Sequence, residues 1–191
     1  MAKAQFFDGG IVLGLVASQI DGDRLEGYDQ ANLKLGMFIE RKLKRRGRRY
    51  SRKGFKLNYG VELYYIGKGS STKAKAAVTT AFDIQLHYIE LSPYIVYEFH
   101  KKSIVQGGIA IASLLSNTVT HGLEENSSED FNSLDLSYFI GYKYLLTKHF
   151  AIDTRLQRSV IPFASVDTSN PIYNQKGLIN MILSFNLYYK L

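Results

Sequence analysis

The chain predicts an all-β protein, an eight-stranded antiparallel up-and-down transmembrane β-barrel. Large apolar residues alternate with small, polar or charged ones in segment after segment. The clearest is Ala31–Glu40, where Leu33, Leu35, Met37 and Ile39 are interleaved with Asn32, Lys34, Gly36, Phe38 and Glu40. Successive side chains of a strand point to opposite faces, so such a segment has one oily face and one wet face. The pattern recurs in Phe55–Lys68, Leu134–Leu146 and Leu178–Leu191, each long enough to cross a bilayer, which takes about 9–11 tilted residues. No apolar run approaches the roughly 18 residues of a helical span, so the chain has no membrane helix.

Composition agrees. The 191 residues suit one domain of eight strands and their connections. Tyr (14) and Phe (11) are abundant and Pro is scarce (3), as strands prefer. With no Cys, disulfide staples, thiol catalysis and Cys-ligated zinc are excluded. Ala2-Lys3-Ala4 before Gln5 resembles the small-x-small end of a secretory signal, so residues 1–4 read as a signal remnant or tag. Residues 5–191 read as a single outer-membrane barrel domain.

Taken in order, the strands are Gly9–Ser18, Ala31–Leu43, Phe55–Lys68, Phe82–Phe99, Ile104–Ser116, Leu134–Leu146, Phe150–Ile161 and Leu178–Leu191. The first and fifth are Gly-rich and their facing is ambiguous. In the second, third, sixth and eighth the apolar parity faces lipid throughout. The fourth changes phase: Phe82, Ile84, Leu86 and Tyr88 share one face, whereas Leu91, Ile95, Tyr97 and Phe99 have the opposite parity. One extra residue near Tyr88–Glu90, a β-bulge, would bring both sets to the lipid side. In the seventh, Arg158 is the one charge on the lipid face, near the outer end. Connections after the odd strands are long and polar, and those after the fourth and sixth are short. Such barrels carry long loops outside and short turns in the periplasm, which predicts that both termini are periplasmic. Tyr97, Phe99, Tyr142, Tyr144 and Tyr189 then form a periplasmic aromatic girdle, with Tyr65 near the outer end.

The net charge of +7 is local. Of 24 basic residues, nine lie between Arg41 and Lys53 (Arg41, Lys42, Lys44, Arg45, Arg46, Arg48, Arg49, Arg52 and Lys53), leaving 15 against 17 acidic ones elsewhere. A basic run can mark nucleic-acid binding. Here it joins two amphipathic strands with no recognition helix or aromatic-lined groove, so a periplasmic turn facing anionic headgroups or an acidic partner is the reading, and no nucleic acid is expected.

Parity also predicts the lumen. Lys34, Lys56, Glu62, Asp83, His87, Asp135, Lys143, Asp153 and Arg155 form the inward polar network, with Glu40, Glu98 and Lys190 toward its end. An eight-stranded barrel is just wide enough for side chains to fill it, and unpaired buried charges are costly, so a plugged, salt-bridged core is expected. His100, His121 and His149 fall in turns and a loop, and no nucleophile motif accompanies them or His87. The acidic stretches around Asp21–Asp29 and Glu124–Asp130 do not match an EF-hand loop. No catalytic residue, cofactor or metal site is predicted. The alternatives are a small porin or transport barrel, and a soluble lipocalin-like barrel with the alternation inverted around an apolar cavity.

Several segments together resemble the PorT-like outer-membrane β-barrel family of Bacteroidetes. Ser18-Gln19-Ile20-Asp21-Gly22-Asp23, Gly27-Tyr28 and Leu35-Gly36-Met37-Phe38-Ile39-Glu40 are similar to its first hairpin. Glu62-Leu63-Tyr64-Tyr65 with Gly67-Lys68-Gly69, Tyr88-Ile89-Glu90-Leu91, Asp153 with Arg155, and Tyr188-Tyr189-Lys190-Leu191 resemble later strands. The chain departs from the pattern in placing Ser92 before Pro93 and in ending on Leu191 rather than an aromatic. The resemblance implies an integral barrel of the cell outer membrane, in contact with outer-membrane lipid and lipopolysaccharide. Some members of that family serve the type IX secretion and gliding apparatus, and many have no known role. With a plugged lumen and no catalytic motif, the expected function is a non-enzymatic accessory or docking subunit of an envelope complex, a type IX secretion complex being one candidate.

Overall fold

The computed structural model describes residues 7–21, 28, 30–42, 56–72, 82–121, 124–126, 132–162 and 179–191. The strands are β1 (Phe7–Asp21), β2 (Gln30–Lys42), β3 (Lys56–Thr72), β4 (Phe82–Glu98), β5 (Ser103–His121), β6 (Glu124–Asn126), β7 (Leu134–Leu145), β8 (Phe150–Ser159) and β9 (Ile179–Lys190). Each long strand pairs antiparallel with two neighbours in the order β4-β3-β2-β1-β9-β8-β7-β5, and β5 pairs back to β4. Eight strands therefore close a barrel with no free edge among them, while β6 pairs only with Val119–His121 of β5.

One end of the barrel carries the start of β1 and the finish of β9. It also has two tight turns. In one, His100 and Ser103 exchange backbone hydrogen bonds of 3.3 and 3.4 Å. In the other, Thr147 Oγ1 accepts from the amides of His149 and Phe150 at 3.2 and 3.0 Å. The connection from β2 to β3, residues 43–55, also leaves from this end, and those that follow β1, β3 and β8 leave from the opposite end.

The outer face is apolar around the ring: Leu13, Leu35, Met37, Leu63, Leu91, Ile111, Ile140, Leu156 and Phe185 all point outward and are exposed. Aromatic rings edge this band at the termini end. Tyr97 and Phe99 lie 6.5 Å apart, Phe99 and Tyr142 6.3 Å, and Phe150 and Tyr189 5.1 Å between centroids. Rings with an apolar body and a polar tip suit that boundary.

The fourth strand corrects the expected phase change. β4 alternates without a break, and the extra residue is Leu115 of β5, where the pairing steps from His87↔Ser116 to Tyr88↔Leu114. Ile84, Leu86 and Tyr88 consequently point inward and are buried, whereas Asp83, Gln85 and His87 point outward. The reason is the medium. Above Tyr65, His87 and Leu115 the strands leave the apolar band, so the exterior is wet and the dry side is inside. β3 and β5 also run further than expected, to Thr72 and His121, and β6 lies within the expected loop after β5.

That upper part of β3 leans across the barrel. Its pairing with β2 ends at Lys34↔Ile66, and Ile66 through Ser70 are all buried. Gly69 takes a φ of +148°, open to glycine without strain, and its carbonyl accepts from Ser18 Oγ at 2.8 Å. Lower down, Tyr64 packs directly over Gly36, where any Cβ would collide with it.

A charge introduced on the lipid face should reveal the band. Leu35→Arg, near the middle of β2, should lose about 2–4 kcal/mol, and Leu57→Arg, beside Tyr97 at the girdle, about 0–1 kcal/mol. Urea unfolding of the two variants in lipid vesicles measures the difference. Equal losses would mean that no depth-dependent lipid face exists.

Candidate functional site

Inward side chains fill the lumen in three tiers. At the centre, Arg155 of β8 forks onto Glu62 of β3, with Nη1 donating to Oε2 at 2.8 Å and Nη2 to Oε1 at 3.0 Å. The same Nη2 donates to Tyr188 Oη at 2.8 Å, and that hydroxyl donates on to Glu62 Oε1 at 2.6 Å. Lys34 lies 3.5 Å from Glu62 Oε2 and 3.6 Å over the Tyr64 ring. Asp153 accepts from Gln106 and Asn186, both at 2.7 Å, and lies 3.7 Å from Arg155 Nε. Planar bidentate pairs of this kind are the strong ion pairs, fixing orientation as well as charge.

The second tier lies toward the loop end. Lys68 bridges Glu90 at 2.9 Å and Asp135 at 2.8 Å. Glu90 also accepts from Tyr64 and, at 2.9 Å, from Gln157, which reaches Ser137 at 2.8 Å as well. Above it, Val16, Ile66, Ile84, Leu86, Tyr88, Val119 and Ile182 form an apolar cluster. Among the described residues, that cluster occupies the lumen toward the loop end.

The third tier, at the termini end, is open. A cavity of about 390 Å³ has apolar lining from Phe38, Ile104, Leu145, Ala151 and Tyr188 and polar or charged lining from Lys143, Thr147, Lys148 and His149. Asp8 at its mouth pairs with Lys42 at 3.3 Å and Lys190 at 2.8 Å. Glu40 and Glu98 accept from Asn58 at 3.5 and 2.9 Å.

Of the predicted lumen residues, Lys34, Glu62, Asp135, Lys143, Asp153 and Arg155 are brought together and buried. Asp83 and His87 are not: both face outward, for the reason given by β4, and His87 Nδ1 lies 2.6 Å from Tyr65 Oη with the rings stacked. The side chain of Lys56 lies outside the described residues. Two lumen charges were missed. Glu90 shares the parity of Tyr88, which the misread phase assigned to lipid. Lys68 has the parity of Glu62 and closes the expected third strand, so parity alone pointed it inward. Among the described residues the buried charges balance, four cations (Lys34, Lys68, Lys143, Arg155) against four carboxylates (Glu62, Glu90, Asp135, Asp153).

In the basic run only Arg41 and Lys42 are described. Both are exposed, Arg41 donating to Tyr59 Oη at 3.4 Å and lying over the Phe7 ring. Lys44, Arg45, Arg46, Arg48, Arg49, Arg52 and Lys53 lie outside the described residues. Among the described residues, no three His, Asp or Glu side chains come together to hold a metal.

The family model of the outer membrane protein beta-barrel domain matches residues 4–165. The chain belongs to this family. It is an outer-membrane β-barrel protein, and no curated protein matches its sequence. Among solved structures it is similar to Ail, the attachment invasion locus protein of Yersinia pestis, in complex with the heparin analogue sucrose octasulfate. The identity is 12%, with 98% of this chain and 100% of that one covered and a TM-score of 0.52. It is similar also to neisserial surface protein A, at 13% identity, 98% coverage of both chains and a TM-score of 0.55. At these identities the likeness is one of fold.

The central tier should be far more sensitive to losing one partner than two. Glu62→Gln leaves Arg155 and Lys34 buried without their carboxylate and should cost about 3–5 kcal/mol, whereas Glu62→Met with Arg155→Met should cost much less. Unfolding in detergent or vesicles decides it, and a neutral Glu62→Gln would show that the pair does not hold the lumen.

Proposed function

We propose that this protein is a non-enzymatic integral barrel that serves as an accessory or docking subunit of an envelope complex, its lumen closed to solutes. One observation carries the reading: among the described residues, cross-lumen ion pairs and an apolar cluster occupy the two upper tiers, with a cavity at the termini end. A scaffold without a channel must act through its ends and its lipid face. The resemblance to PorT-like barrels favours a type IX secretion complex as the assembly. Outer-membrane lipid, lipopolysaccharide and other envelope proteins are the partners, with no nucleic acid. The termini and short turns face the periplasm and the long loops face outward, the habitual arrangement of such barrels.

In planar bilayers the purified protein should give no stable conductance steps, and its gel mobility should be heat-modifiable. Reproducible channels of nanosiemens size would favour a porin. Isolation of the folded protein from native membranes, with its partners identified, tests the docking role.

The basic run is the surface proposed for docking. On the periplasmic side it would meet anionic lipid or an acidic partner, at about 1 kcal/mol per Lys or Arg near a charged membrane surface. Replacing Arg45, Arg46, Arg48 and Arg49 with Gln should leave the barrel heat-modifiable and weaken that association in a salt-dependent way. Trypsin cleavage at these residues in cells with a sealed outer membrane would reverse the topology.

A further inference from the structure

One buried charge has a different environment from the rest. Lys143 of β7 is 4% exposed and lines the floor of the termini-end cavity. Its ammonium lies 4.0 Å over the Tyr188 ring, 5.5 Å from Tyr94 and 5.8 Å from Phe38. Among the described residues no carboxylate comes within 4 Å of it. Its register neighbour Asp153 turns instead to Gln106 and Asn186. Ring faces offset only part of the cost of taking an ammonium out of water. Three rings hold this one in place and leave its remaining donors to the cavity.

We propose that the cavity is a binding site for a small apolar monocarboxylate, with Lys143 taking the carboxylate at the floor. Three features define that chemistry. The volume of about 390 Å³ falls in the range of small-molecule pockets. Part of the wall is apolar: Phe38, Ile104, Leu145 and Ala151 can cover an alkyl or aryl body. The mouth carries both signs in equal number, Asp8, Glu40 and Glu98 against Lys42, Lys148 and Lys190, with Asp8 held by Lys42 and Lys190 and the two glutamates by Asn58. With the charges at the mouth offsetting one another, Lys143 at the floor is the one cation of the lining in excess. One cation in excess beside an apolar patch matches a single negative charge on an apolar body. The site is reached from the termini end, because the ion-paired centre and the apolar cluster occupy the other.

The test uses the folded full-length protein in a nonionic detergent, titrated calorimetrically with hexanoate, hexanol, hexylammonium and inorganic phosphate. Hexanoate should bind saturably at one per chain, with hexanol and hexylammonium weaker by roughly tenfold or more, the loss expected for a charge-assisted hydrogen bond. Lys143→Met should weaken hexanoate by a similar factor. Lys102→Met, on the exposed turn at the same end and outside the cavity, should leave it unchanged. Equal binding of hexanoate and hexanol would show partition into apolar surface and overturn the site, as would binding undiminished in Lys143→Met. Saturable phosphate in place of hexanoate would overturn the ligand class. If Lys143→Met does not fold, the comparison of hexanoate with hexanol on the unaltered protein still decides.

Discussion

The Arg155–Glu62 pair is the strut on which the interior depends. Counting round the ring, β3 and β8 stand four strands apart in either direction, so the guanidinium and carboxylate meet across the diameter of the barrel. Backbone hydrogen bonds close the wall, yet they say nothing about what fills it. A barrel of eight strands has room for side chains and little else, and charges placed there are tolerable only when each finds its partner. Arg155 supplies the rigid fork and Glu62 both acceptors. Tyr188 from β9 and Lys34 from β2 then take the remaining directions of the same carboxylate. Four strands are thereby tied to one point, which specifies their register more tightly than packing of interchangeable apolar groups would.

Around that strut the lumen is polarised along its axis. Lys68 repeats the device one tier up, joining β3 to β4 and β7 through Glu90 and Asp135. Above it the interior turns apolar, and the inward lean of β3 at Gly69 brings that apolar surface over the opening. Below the strut the filling stops short, leaving a mouth edged by paired charges and floored by an ammonium under aromatic rings. The two ends of one small barrel thus differ in kind: one filled by dry packing, the other concave and charged.

What sequence could reveal follows from which solvent each face meets. On β2, β7 and β9 the outside is lipid for nearly the whole span, so parity alone separates Leu35 from Lys34 and Tyr142 from Lys143, and the closed eight-stranded architecture is legible. β4 defeats the same rule. Its outward face is apolar from Ile89 to Tyr97 and polar from Asp83 to His87, while its inward face changes the opposite way, from Glu90 and Ser92 to Ile84 and Leu86. Alternation reports which side is wet; it does not report which side is inside. Where the strand passes from lipid into water the two questions have different answers, and the pattern mimics a bulge in β4. The real bulge, at Leu115 in Gly-rich and facing-ambiguous β5, leaves no such mark.

The same distinction explains why the candidate site was only half visible. Arg155, Glu62 and Asp153 stand out because a charge amid apolar alternation must face inward. Tyr64, Tyr94 and Tyr188 do not, since an aromatic residue in such a strand is as much at home against lipid as in the lumen. Yet the rings decide what the charges become. Over Lys34 a ring supplements an ion pair with Glu62. Over Lys143 three rings stand where a carboxylate would be, and the cation remains directed at open space. A lumen built only to be filled would have closed that charge on Asp153, its register neighbour, as it closed Lys68 on Asp135. The ring cage and the cavity beneath it belong to one arrangement, and it is the arrangement of a pocket.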